Sequence, residues 1–162
     1  MKSHRWSQKD IPSLCGKVAI VTGGNSGLGF ESAMALAANG AEVIVACRSV
    51  DKGAKARKEI LKSSPEGLVK VLPIDLKDLS SVKSFADEFK SHYTRLDILI
   101  NNAGIMISPF PLTKDGLESQ MGTNHLGHFA LTGHLLSLLK ATPNSRVVTV
   151  SSLAHKQWKF SF

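Results

Sequence analysis

Thr22-Gly23-Gly24-Asn25-Ser26-Gly27-Leu28-Gly29 is the stretch on which the reading of this chain turns. It follows Lys17-Val18-Ala19-Ile20-Val21, a β-branched run of the kind that forms a buried strand, and it leads into residues 30–39, which predict a helix closed by Gly40. The order is strand, glycine turn, helix. A helix start leaves backbone N–H groups unpaired and carries partial positive charge, so a turn that brings a ligand close to it makes a pyrophosphate site. Gly23 is expected to permit the tight turn, Gly27 the close approach of phosphates, and Gly29 the packing of helix on strand. Asn25, Ser26 and Leu28, with Gly24, fill the remaining positions of the loop.

Working outward, strand and helix patterns alternate. Residues 42–47 predict strand two, 51–63 a helix, 68–74 strand three, 79–93 an amphipathic helix and 97–100 strand four. A loop with Pro109 and Pro111 leads to a long helix, 117–140, and residues 146–150 predict strand five. Such alternation builds a parallel sheet with helical crossovers. Residues 1–16 form a polar lead-in, and 17–162 are expected to make one α/β domain, since 162 residues support a single core. In doubly wound folds ligands sit at the carboxyl ends of the strands. Here those ends carry the glycine turn, Arg48, Asp75, Asn101-Asn102-Ala103-Gly104 and Ser151-Ser152. Packing alone gives no reason for five polar or glycine-rich endings on one edge.

Composition narrows the functional classes. Hydrophobic residues at 43% and charged ones at 20% describe a globular protein, and no apolar run approaches the roughly 20 residues of a membrane span. The first ten residues contain no apolar h-region, so a cytoplasmic location is expected. Net charge +7 invites a nucleic-acid reading, but the basic residues are scattered, and the densest group, Lys52, Lys55, Arg57, Lys58 and Lys62, reads as one solvated helix face. No nucleic-acid partner is expected. The positive field favours an anionic, phosphorylated cofactor instead. Cys15 and Cys47 lack metal-type spacing, and Cys47 sits in an apolar run as a small core residue. His125, His128 and His134 have no acid or cysteine to complete a zinc site, so no metal is expected.

The T-G-x-x-x-G-x-G turn together with Asn101-Asn102-Ala103-Gly104 resembles the short-chain dehydrogenase/reductase family, and the resemblance extends from about Leu14 to Lys156. It implies a Rossmann-type doubly wound parallel sheet, strand order 3-2-1-4-5, and NAD(P)-dependent hydride transfer between a nicotinamide and a small carbonyl or alcohol substrate. Arg48 stands where NAD-preferring relatives place an acid on the ribose hydroxyls; an arginine there accepts the 2′-phosphate of NADP, or is simply a solvated strand-end residue. The cofactor expected is therefore NADP, with NAD second. Asp75 and Leu76 resemble the family's adenine-contacting pair, with an N-cap or turn aspartate as the structural alternative. Asn102, Ala103 and Gly104 resemble the segment that braces the sheet and approaches the cofactor.

Asn124 resembles the family's active-site asparagine, which holds a local helix distortion and a water of the proton relay; the alternative is a buried structural hydrogen-bonder. Ser152 resembles the serine that hydrogen-bonds the substrate oxygen, with a plain strand-end serine as its alternative. The family's tyrosine and lysine belong to a Y-x-x-x-K motif beyond that serine, and no such motif occurs here; Tyr93 is the sole tyrosine. Ala154-His155-Lys156-Gln157 continues like the retinol dehydrogenase and protochlorophyllide reductase branch. The expectation is thus an inactive fragment of an oxidoreductase, lacking the family's C-terminal strands. A non-catalytic NADP-binding sensor or interaction protein is the alternative. Two further expectations follow: an unpaired strand five with Leu135, Leu138 and Leu139 partly wet, and a homo-oligomer through the long helix 117–140.

Overall fold

The computed structural model describes residues 7–106 and 111–153. Pro109 and the tail from Ala154 to Phe162 lie outside the described residues. After a short helical turn at Gln8–Asp10 come β1 (Val18–Thr22), α1 (Gly27–Ala38), β2 (Glu42–Cys47), α2 (Val50–Ser63), β3 (Val69–Pro73), α3 (Leu79–His92), β4 (Ile98–Asn101), a π-helical segment (Met121–Leu126), α4 (Gly127–Ala141) and β5 (Arg146–Thr149). The strands form one parallel sheet of five in the order β3-β2-β1-β4-β5. The parallel sheet is the one expected from the alternation of strands and helices, and its order is the Rossmann-type order that the family resemblance implies.

Alternate residues of the central strands feed two cores. Val18 and Ile20 of β1, with Ile44 of β2 and Leu99 of β4, meet Phe85 and Phe89 of α3 and Leu131, Leu135 and Leu139 of α4. On the other face, Val21, Val43 and Val45 pack against Ala33 and Ala37 of α1 and Ile60 of α2. The period of two in the strands thus sorts side chains between two helical layers. Because β1 is covered on both faces, all five of its residues are buried, which is why it reads as a continuous apolar run.

Two expectations about the last helix need correction. The stretch 117–140 is not one α-helix: Met121–Leu126 is π-helical, with the Gly127 amide bonding the Gly122 carbonyl, before α4 begins. Leu135 and Leu139 are also not wet, because α3 lies beside α4 and covers that stripe, while Leu138 is partly buried. The apolar groups left in water on α4 are Phe129, 72% exposed, and Leu136, 49% exposed. β5 is the sheet edge among the described residues, and all four of its residues are exposed.

The amino edge of the sheet is tied by charge. Asp97, just before β4, accepts from the Val18 amide at 3.0 Å, from Lys17 Nζ at 3.0 Å, and from Arg95 Nε and its terminal nitrogen at 2.8 and 2.7 Å. Burial pushes its carboxyl up, but Arg95, the Val18 amide and Lys17 outweigh burial and hold it at about 2, below the ordinary 3.8. A carboxylate whose folded value is depressed stabilises the fold above its unfolded value and loses that contribution as pH falls through the folded one. Asp97→Asn is therefore expected to lower unfolding free energy by about 2 kcal/mol at neutral pH. Urea denaturation should show the difference shrinking between about pH 4 and pH 2. A wild-type/variant gap that stays constant across that window would contradict this assignment.

Candidate cofactor cleft

At the opposite, carboxyl edge of the sheet lies a cleft of about 520 Å³. Each strand end from β3 to β4 contributes to it. Gly23, Asn25, Ser26 and Leu28 come from the turn after β1, Arg48 from the end of β2, Asp75 and Leu76 from beyond β3, and Asn102, Ala103 and Gly104 from beyond β4. Val150, following β5, closes one side. Residues spread over more than a hundred positions of sequence meet here because parallel strands all end on one edge.

The glycine turn is shaped by close approach. Gly23 adopts φ +65°, and a Cβ there would stand 3.1 Å from Ala103 Cα. A Cβ on Gly29 would fall 2.4 Å from Asn102 Nδ2 and 2.5 Å from the Gly23 carbonyl oxygen, so the third glycine admits the Asn102 carboxamide rather than only packing helix on strand. Gly27, with φ +54°, has nothing within 4 Å of a built Cβ, so the first turn of α1 is open on that side. Helix ends differ in a telling way. Ser49 caps α2 by accepting from the Lys52 amide, and Asp78 caps α3 by accepting from the Ser80 and Ser81 amides, whereas Ser26 gives α1 no side-chain cap. The helix facing the glycine turn thus keeps its N-terminal donors for another acceptor.

Asp78, not Asp75, caps α3, so the structural alternative for Asp75 is a turn: its Oδ1 accepts from the Lys77 amide at 3.0 Å. Leu76 is buried in the core and lines the cleft with its neighbour. Gly127 lets the π segment and α4 come against that loop, since a Cβ there would lie 2.6 Å from the Leu76 carbonyl oxygen.

Asn124 is exposed rather than buried, and its carboxamide grips one residue. Its Oδ1 accepts from the Ile105 amide and its Nδ2 donates to the Ile105 carbonyl, both at 2.9 Å. The segment after Gly104 is thereby fastened to the π-helical turn. Ser152 is exposed, two residues past Val150, and the cleft lining does not extend to it. Tyr93 stands at the other edge of the sheet, donating to Glu42 Oε1 at 2.5 Å and accepting from Lys70 Nζ at 2.9 Å.

Several cleft residues had no role assigned to them individually in the sequence reading. Lys52, one turn into α2, and Lys77 add cations near Arg48 and Asp75. Lys52 belongs to the basic helix taken as a solvated face, and its spacing of four from Arg48 is the signal that could have separated it. Thr123 lines the cleft, and its buried Oγ1 has no hydrogen-bond partner among the described residues. Thr22 joins β1 to the turn after β4: its Oγ1 accepts the Asn102 and Ala103 amides at 2.9 and 3.0 Å.

Residues 17–161 match the family model described as short chain dehydrogenase. Human retinol dehydrogenase 12 is 48% identical over 149 residues, 92% of this chain and 47% of that protein, so the chain spans about half the length of the curated relatives it matches. Among solved structures, an uncharacterized protein from Mycobacterium Paratuberculosis is 50% identical with TM-score 0.79, over 93% of this chain and 51% of that one. The Pseudomonas aeruginosa RhlG/NADP active-site complex is 30% identical with TM-score 0.74, over 88% of this chain and 57% of that one. Among the described residues, no helix is long and apolar enough to cross a membrane. With strand order, glycine turn and relatives in agreement, the chain belongs to the short-chain dehydrogenase/reductase family, in its retinol dehydrogenase-like branch.

Proposed function

We propose that this chain holds NADP(H) in the cleft at the carboxyl edge of its sheet, as part of an oxidoreductase acting on a small carbonyl or alcohol. The observation that carries this reading is the uncapped start of α1 beside an open glycine turn, with Arg48 and Lys52 at the neighbouring strand end. An anionic diphosphate fits the first, and a further phosphate fits the second. Gly23, Asn25, Ser26, Gly27, Leu28 and Gly29 would cradle the pyrophosphate. Arg48, helped by Lys52, would pair the 2′-phosphate, and the Asp75 carboxylate and Leu76 would take the adenine. The turn Asn102-Ala103-Gly104 would face the sugar side of the dinucleotide.

When bound, the dinucleotide would supply hydride to a carbonyl carbon or accept it from a carbinol carbon. The protein's part is to position and to hold protons. Asn124 fixes the Ile105 segment along the cleft wall, and Ser152 would donate a hydrogen bond to the substrate oxygen. Titration of the purified chain with NADPH, followed by cofactor fluorescence, is expected to give saturable 1:1 binding. Absence of saturable binding would overturn the reading.

The face of α4 carrying Phe129 and Leu136 is the proposed surface for self-association, since exposed apolar side chains on one helix gain by mutual burial. The double variant Phe129→Lys, Leu136→Lys is expected to shift the sedimentation profile from dimer or larger species to monomer. A wild-type chain that sediments as a monomer at all concentrations would remove the proposal.

A further inference from the structure

His128 is a buried titratable group that the chemistry above does not use. It lies in the first turn of α4, only 4% exposed, and both ring nitrogens are engaged. Nδ1 is 3.0 Å from the Asn124 carbonyl oxygen, and Nε2 is 2.8 Å from Thr22 Oγ1. A carbonyl can only accept, so Nδ1 carries the proton and Nε2 is bare. The Thr22 hydroxyl must then donate to Nε2, which leaves its two lone pairs for the Asn102 and Ala103 amides that point at it. Every donor and acceptor of this hydroxyl is used.

The bonds close a ring. Thr22 donates to His128, His128 donates to the Asn124 carbonyl, and the Asn124 carboxamide grips Ile105 through both its amide and its carbonyl. From Ile105 the chain runs back through Gly104 to Ala103, whose amide returns to Thr22. The Asn102–Ile105 turn, which lines the cleft, is thus held from both ends, and His128 is the link between them. We propose that His128 is a positioning residue of the cleft: its Nδ1-protonated imidazole sets the distance between the Asn102–Ile105 turn and the π-helical segment that carries Asn124.

The ring works with one protonation state. A second proton on His128 would turn Nε2 into a donor aimed at an oxygen already accepting two N–H groups, and the hydroxyl proton would be left with the Ile100 carbonyl at 3.3 Å. Burial disfavours that cation first, and neighbouring His125 adds to the effect, while the bond to the Asn124 carbonyl opposes them; the net shift is below the ordinary 6.5. What faces the ring from β1 and from the turn after β4 is the uncharged Thr22 hydroxyl with its two amides. Among the described residues, His125 on the neighbouring turn is the titratable group acting on it, and none of β1, β4 or α3 contributes one.

The functional consequence rests on the cofactor reading, but the ring itself does not, and the experiment separates them. Long-range ¹H–¹⁵N correlation on the ¹⁵N-labelled chain reads the His128 tautomer, and amide spectra read residues 102–105. The expected result is an Nδ1–H tautomer at neutral pH, with the Ala103 and Ile105 amides shifting at the same midpoint as the His128 ring. His128→Phe, which keeps a flat ring without the two bonds, should shift the same amides and weaken NADP⁺ binding about tenfold. Thr22→Val should do likewise, and the double variant should be no weaker than either single one, as for residues acting in one network. His128→Gln, which retains a donor for Asn124, should recover part of the affinity. An Nε2–H tautomer, or Ala103 and Ile105 amides indifferent to the His128 titration, would overturn the proposal, and the wild-type spectra decide this even if a variant does not fold. Wild-type spectra as expected with no NADP⁺ binding would sink the cofactor reading alone.

Discussion

Arg48→Asp is expected to invert the cofactor preference of this protein. Arg48 is exposed at the end of β2 and lines the cleft, and Lys52 stands one helical turn further on. A planar guanidinium at that place would pair the 2′-phosphate of NADP with parallel donors, and charge-assisted hydrogen bonds of this kind are worth about 1.5–3 kcal/mol. The aspartate removes that gain and adds a like charge beside the phosphate. NADP(H) affinity should fall about 10²-fold, while NAD(H), which offers two ribose hydroxyls to the new carboxylate, should bind more tightly than before. Arg48→Ala separates the two effects. It should weaken NADP(H) only about tenfold, because Lys52 remains and no repulsion is introduced. Equal wild-type affinities for the two cofactors, or an Arg48→Asp variant that still prefers NADP(H), would refute the assignment.

The architecture was open to a sequence reading because its signals are local. A β-branched run, a glycine turn and a helical period recur in order, so the parallel sheet follows from the alternation, and its strand order from the family resemblance. The cleft-edge residues were likewise marked by position, each immediately past a strand. What stayed hidden depends on distant partners or on hydrogen-bond register. The π-helical turn at Met121–Leu126 leaves the apolar period nearly unchanged; the resemblance at Asn124 implied a local helix distortion, but its register shows only in the crowding of Gly122 by Thr113 and of Gly127 by Leu76. Leu135 and Leu139 looked vulnerable because sequence does not say that α3 covers their stripe. His128 invited comparison with metal ligands, whereas its partner Thr22 lies 106 residues away in sequence, beyond the reach of any spacing argument.

The polypeptide 1–162 is expected to bind NADPH yet reduce no aldehyde or ketone at a measurable rate. On the proposed reading Ser152 would orient a carbonyl oxygen, but transfer of hydride to its carbon leaves an alkoxide that must gain a proton, and a positioned acid for that step is typically worth about 10²- to 10⁴-fold. The sole tyrosine of the chain, Tyr93, cannot provide it. It caps the end of α3 at the amino edge of the sheet, across the full length of the strands from the cleft. Its chemistry is wrong as well as its place: burial, and after it the bond to Glu42, push the phenol up from its ordinary 10.0, with Lys70 opposing. A phenol made less acidic in this way is a poorer proton donor and no base at neutral pH. Tyr93→Phe should therefore leave NADPH binding unchanged. Steady NADPH consumption by purified 1–162 with a carbonyl substrate, abolished by Ser152→Ala, would show that an acid other than tyrosine completes the site. With no such consumption, and with saturable NADPH binding intact, residues 1–162 hold the cofactor without placing an acid that completes the proton transfer.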